Sequence, residues 1–159
     1  MGVDNLASEL FKKTEGRLYN YKNIDTQINT IKLHIKKLDE DIYDDGLSYG
    51  DKSSPTFKIT STVENHVIQR EKDGTADIIE KLNKKIKKLE YDKQIMDKAL
   101  STLNDLEMQF FKLRYNSSSK KTMPRIASEL FVGNNKCVDL RKSVVMKISK
   151  YLFPLENDF

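Results

Sequence analysis

Two apolar stripes with heptad spacing constrain this chain more than any other feature. Tyr21, Ile24, Ile28, Ile31, Ile35, Leu38 and Ile42 recur in alternating steps of three and four residues. Ile79, Leu82, Ile86, Leu89, Met96, Leu100 and Leu103 follow the same rhythm, with Lys93 at the one charged seam position. On a helix this spacing gathers the apolar side chains into a narrow seam that another helix must cover. The spacing predicts a first helix over 17–45, about 28 residues and roughly 42 Å long, and a second over 62–103. Between them, GLSYGDKSSPTFKIT (46–60) reads as a loop, with two Gly, one Pro and a Ser pair. Ser61 and Glu64 form a capping-box pattern ahead of the second helix. The simplest arrangement is a long antiparallel helical hairpin. The same seams can zip between two chains, which makes a homo-oligomer through the long helices the alternative. A lysine in a seam must reach water or meet a carboxylate. In the hairpin Lys93 falls near Tyr21 to Ile28, where Asp25 is its expected partner.

Composition fits a helical chain. Gly (6) and Pro (3) are scarce and charged residues make up 33%. Two weak points stand out, Gly16 near the start and Asp73-Gly74 in the second helix, where the expected helices break or kink. Asp39, Glu40, Asp41, Asp44 and Asp45 crowd the C-terminal end of the first helix, the unfavourable end of its dipole for carboxylates. No apolar run approaches the roughly 20 residues of a membrane span. MGVDNLASELFKK is too polar for a signal peptide. A single cysteine excludes an internal disulfide, which fits a cytoplasmic setting.

The last third of the chain has a different texture. Asn104 and Glu107 make a second capping box, opening a short helix that ends at Leu113-Arg114-Tyr115. After the loop SSSKKT, Thr122 takes an N-cap position, its hydroxyl expected to accept from a first-turn amide, and Pro124 follows inside the first turn. Ile126, Ala127 and Leu130 line one face of this second helix. The turn Phe131-Val132-Gly133-Asn134 contains a glycine suited to positive φ. A third helix follows, with Cys137, Leu140, Val144, Val145 and Ile148 facing inward. The last two helices therefore read as a helix-turn-helix. On the outward face Asn134, Asn135, Lys136 and Asp139 have side chains that can pair with base edges. Arg114, Lys120, Lys121, Thr122, Arg125, Arg141 and Lys142 are the expected phosphate contacts. Charge placement agrees with this. Residues 1–100 hold 18 basic and 18 acidic side chains, whereas 112–150 hold ten basic against only Glu129 and Asp139. Such a surplus is the footprint of a nucleic-acid partner. The domain division expected is 1–103, a coiled-coil or oligomerisation region, and 104–159, a DNA-binding domain able to fold alone.

LNDLEMQFFKLRY, TMPRIASELFV and the polar helix ending VVMKISKYL together resemble region 4 of the sigma-70 class. YGDKSSPTFKITSTVENHVIQRE and the long Lys/Glu helix resemble the ArpU/RinA-type regulators of phage late genes. The sigma-like likeness covers about a third of the chain, the phage-regulator likeness most of it. Val138, Asn134 and Asn135 depart from the sigma pattern, so its promoter sequence does not carry over. The resemblance implies an all-α fold and a transcriptional activator of packaging and lysis genes. It also implies a bacterial host's cytoplasm as the location and RNA polymerase as a further partner besides double-stranded DNA.

Other chemistry is poorly served. His34 and His66 lack companions with ligand spacing, so no zinc site or other metal is expected. No phosphate-binding glycine loop or nucleophile elbow occurs, and the reading is of a non-enzyme without cofactor. Cys137 reads as a small buried hydrophobe; adjacent Lys136 makes a thiolate sensor the alternative. Lys84, Lys85, Lys87 and Lys88 flank Ile86 as solvated faces of the coiled coil in preference to DNA contacts. Two other classes share these features. One is a small-terminase-like DNA-packaging subunit, recognised by ring stoichiometry; the other is a coiled-coil scaffold that binds no DNA.

Overall fold

The computed structural model describes the backbone of residues 2–47 and 61–156, and the side chains of 7–41 and 74–156. Among these the fold is all-α. Six helices follow in order: α1 Gly2–Tyr21, α2 Ile24–Leu47, α3 Ser61–Leu100, α4 Asp105–Arg114, α5 Met123–Glu129 and α6 Asn134–Leu152. The expected loop 46–60 falls largely outside the described residues, as do the side chains of Asp44, Asp45 and the Ser61–Glu64 pattern.

Three expectations about helix breaks need correction. Gly16 does not interrupt α1, which runs through it to Tyr21. Gly74 likewise sits within an unbroken α3. A mid-helix glycine costs only about 1 kcal/mol, and in α1 burial of the adjacent Thr14 and Leu18 offsets it. The break comes instead at Lys22-Asn23, inside the predicted first helix. There the Asn23 N–H turns back to donate to the Asn20 carbonyl at 2.9 Å. Tyr21 thus belongs to α1 rather than to the α2 seam, and its hydroxyl donates to Asp97 Oδ1 at 2.6 Å. Burial of Tyr21 and the neighbouring Asp97 and Asp25 carboxylates push its phenol up to about 12.

The chain divides into two units, one formed by Met1–Asp25 with Glu90–Phe159 and the other by Thr26–Leu89. This redraws the boundary expected at residue 103, because α1 and the end of α3 belong with the C-terminal helices. The core of the first unit joins Leu18 of α1, Met96, Ala99 and Leu100 of α3, and Phe110 and Phe111 of α4. It continues through Tyr115, through Ile126 and Ala127 of α5, and through Cys137, Leu140, Val144, Val145 and Ile148 of α6. Aromatic edges order its centre: Tyr19 meets Tyr115 at 4.8 Å between ring centroids and Tyr21 meets Phe111 at 5.7 Å. Polar pairs tie its rim. Arg17 bonds Asp92 at 2.8 Å, and Lys93 reaches both oxygens of Asp25 at 2.6 and 2.7 Å. The Lys93–Asp25 partnership is the one anticipated from the seam.

In the second unit, α2 and α3 each carry a stripe. Ile28, Ile31 and Ile86 are buried, Ile35, Leu38, Ile79, Leu82 and Leu89 are half-buried, and the side chains between them are mostly exposed. Exposure along these segments follows the heptad rhythm read from the sequence.

Candidate nucleic-acid interface

The elements of the candidate site are α4, α5 and α6. Asn104 caps α4: its side chain accepts from the Glu107 N–H at 2.9 Å, and Glu107 Oε2 accepts from the Asn104 N–H at 3.0 Å. The predicted box is therefore formed. The same Glu107 does more than cap. Its carboxylate is buried and accepts from Ser143 Oγ at 2.6 Å and Lys147 Nζ at 2.8 Å, which ties α4 to α6. Burial alone would raise this carboxyl; the bonds from Lys147, Ser143 and the Asn104 amide outweigh it and hold the group below its ordinary value.

Between α5 and α6 the turn is built differently from the sequence expectation. Gly133 is the N-cap of α6 with extended backbone at φ −70° and ψ 156°. The left-handed residue is Phe131, at φ 54°. Leu130 is the C-cap of α5, the Phe131 N–H donates to the Ser128 carbonyl at 3.2 Å, and the Val132 N–H to the Ala127 carbonyl at 3.0 Å. This pair of bonds is the Schellman closure, whose left-handed position usually holds glycine. Here a phenyl ring that is 97% exposed occupies it. Two backbone bonds over-determine the turn, and so they hold a side chain that local preference disfavours. Thr122 is the N-cap of α5 as expected, but its hydroxyl makes no capping bond.

α6 has a buried apolar face and a mostly polar exposed one, on which Val138 and Met146 are also exposed. Cys137, Leu140, Val144, Val145 and Ile148 are all buried, while Asn134, Asn135, Lys136, Asp139 and Lys142 are exposed. The four expected base-reading residues thus share the first two turns of one helix face. The Cys137 thiol donates to the Met123 carbonyl at 3.6 Å. The thiol is fully buried and that burial pushes it up, both of which favour the small buried hydrophobe over a thiolate sensor.

The expected phosphate contacts divide into free and engaged side chains. Lys120 and Lys142 are exposed, with no ion pair among the described residues, and Lys120 Nζ lies 5.5 Å from the Tyr19 ring centroid. Lys121 and Arg125 share Glu129, at 2.6 and 3.2 Å. These bonds hold the Glu129 carboxyl low, that from Lys121 first. Arg114 donates to the Lys121 carbonyl at 2.7 Å, and its Nε is buried without a partner. Arg141 departs furthest from expectation. Its Nε and Nη2 grip both oxygens of Glu15, each at 2.7 Å, and the Tyr115 hydroxyl donates to the same carboxylate at 2.8 Å. The geometry is the bidentate fork of a structural ion pair. Burial would raise the Glu15 carboxyl, but the bonds from Arg141 and Tyr115 prevail and keep it low. Arg141 therefore anchors α1 to α6, and Arg114 braces the loop ahead of α5. Glu15, 126 positions before Arg141, leaves no local signal of this role, which is why sequence patterns miss it.

The family model described as "Protein of unknown function (DUF722)" matches residues 11–150. The chain belongs to that family. No curated protein and no solved structure matches the chain. The matched span begins in α1 and ends in α6, so it takes in the Glu15–Arg141 pair together with the helix-turn-helix.

No helix among the described residues is long and apolar enough to cross a membrane. What α6 offers chemically is a solvent-facing row of amide, ammonium and carboxylate groups on a helix whose opposite face is locked into a core. Such a row can donate to and accept from the edges of stacked bases.

Proposed function

We propose that this protein is a sequence-specific DNA-binding regulator of transcription that acts without catalysis or cofactor, with α6 as the helix that enters the major groove. The observation that carries this reading is the division of α6 into a buried apolar face and an exposed row of Asn134, Asn135, Lys136, Asp139 and Lys142. A helix used in this way needs a rigid back and a polar front. Lys120 and Lys142 are the freest phosphate contacts. Lys121, Arg125 and Thr122 join them by exchanging or adding partners, and Arg114 and Arg141 serve by positioning. The resemblance to phage late-gene regulators extends the proposal to activation of packaging and lysis genes in a bacterial cytoplasm, with RNA polymerase as a partner. The Ile-rich seams of α2 and α3 are proposed to zip together, as an antiparallel hairpin or between chains.

Footprinting on the DNA flanking the protein's own gene, with the mass of the complex measured, tests the reading. A protected site bound by a monomer or dimer supports it, and a ring bound at that site shifts it to a DNA-packaging subunit. No duplex binding at low salt would sink it. On the protected site Lys136→Ala is expected to weaken binding by about 1–3 kcal/mol, and by less on random DNA.

A further inference from the structure

The charge balance of residues 1–100 conceals a segregation that the fold makes physical. Residues 26–38 hold Lys32, Lys36 and Lys37, and residues 81–89 hold Lys81, Lys84, Lys85, Lys87 and Lys88; neither segment contains a carboxylate. Both segments belong to the same unit, Thr26–Leu89. All eight lysines are exposed. Two of them pair with acids just outside the segments, Lys36 with Glu40 at 3.6 Å and Lys84 with Glu80 at 2.6 Å. The other six make no ion pair among the described residues.

This spacing works against the helices that carry it. Lys32 and Lys36, Lys81 and Lys85, and Lys84 and Lys88 stand four apart, where like charges face one another and weaken a helix. Lys81, Lys85 and Lys88 make a row along one side of α3, about 10 Å long at 1.5 Å per residue. Outside the band α3 is acidic, with eight carboxylates, Asp77, Glu80, Glu90 and Asp92 nearest the band, against Arg70, Lys72, Lys93 and Lys98. A coiled-coil flank that served only solubility would mix its signs along its whole length. An unmixed band is stabilised by an external polyanion.

We propose that this lysine band is a second docking surface for the phosphate backbone of duplex DNA, separate from the α6 face. The inference rests on the DNA-binding reading above. The free lysines are point charges on flexible stems that suit phosphate oxygens, so their contribution is independent of sequence and sensitive to salt. It therefore holds the protein on DNA of any sequence while α6 supplies the discrimination.

The test uses the full chain in which Lys32, Lys37, Lys81, Lys85, Lys87 and Lys88 are all changed to Gln. Binding to the footprinted duplex and to a random duplex of equal length is measured by fluorescence anisotropy across a salt series. The slope of log K against log salt should become shallower by about 3 to 5, since each lost phosphate contact is worth about 0.9. Affinity at low salt should fall about a hundredfold on both duplexes, with the ratio between them unchanged. The matching Lys→Arg set should restore the wild-type slope. Helical circular dichroism and melting temperature should not fall, because the substitutions relieve repulsion. An unchanged slope in a Gln variant that still binds would overturn the band while leaving α6 as the DNA-reading element. Loss of the specific-to-random ratio alone would overturn it too, by assigning the band to sequence reading. A wild-type chain that binds phosphatidylserine vesicles but no duplex would overturn both readings in favour of a lipid surface.

Discussion

The two units bury their apolar side chains in different ways. In the unit of Met1–Asp25 and Glu90–Phe159, five helices send residues into one core, and the half-buried Glu15 and buried Glu107 cross-link elements far apart in sequence. In the unit Thr26–Leu89 only Ile28, Ile31 and Ile86 are fully buried among the described residues, one stripe per helix. The first unit fixes its side chains by packing and by long-range polar links. The second presents charge along extended helices, where position matters less.

The strongest way to break this comparison is to cut the first unit. Fragment 101–159 lacks Leu18, Met96, Ala99 and Leu100 from the core and Glu15 from the Arg141 pair. It is expected to stay unfolded, as read by amide NMR dispersion. A folded, DNA-competent fragment would restore the boundary at residue 103 and reduce α1 to an accessory.

Next in size are paired core truncations. Ile148→Ala removes a side chain with no exposure, in a site walled by several helices, and should cost about 3–4 kcal/mol in urea unfolding. Ile86→Ala, on a stripe with fewer neighbours able to hold a cavity open, should cost about 2 kcal/mol or less. Equal losses would mean that the second unit has a core as tightly packed as the first.

Acid sharpens the contrast further. Glu15 and Glu107 have folded values held below the ordinary 4.5, so the unfolded chain takes up their protons first. Their contribution is complete above about pH 4.5 and is lost as pH falls through the folded values. Thermal melts from pH 6 to pH 3 should therefore destabilise the first unit. Glu107→Gln and Glu15→Gln together should flatten that dependence, and Glu107→Ala alone should cost about 1–3 kcal/mol at neutral pH by leaving Ser143 and the Asn104 N–H of the α4 cap without their acceptor.

The smallest effects are gains. Phe131→Gly relieves a bulky residue at φ 54° and should stabilise by about 1 kcal/mol. Gly16→Ala, where an added Cβ meets nothing within 4 Å, should stabilise by about 0.5–1 kcal/mol. A Phe131→Gly variant that gains stability but loses DNA binding would assign the exposed ring to the complex.

Features written in short range were legible without coordinates. The heptad stripes, the Asn104–Glu107 box, the inward set from Cys137 to Ile148 and the outward set at Asn134, Asn135, Lys136 and Asp139 all follow from spacings of three and four. Lys93 meeting Asp25 was legible too, because a charge in a seam has few places to go. What tertiary structure alone decided lies at long range. That α1 completes the helix-turn-helix core, that Arg141 turns inward to Glu15, and that Glu107 caps one helix while gripping another depend on contacts between residues 36 to 126 positions apart. The turn shows the same division on a smaller scale. Sequence preference puts the left-handed residue at Gly133, yet the α5 carbonyls at Ala127 and Ser128 place it at Phe131. Periodicity reports which face of a helix must be covered; only packing selects the covering element, because many apolar faces would satisfy the same stripe and buried charge accepts few partners.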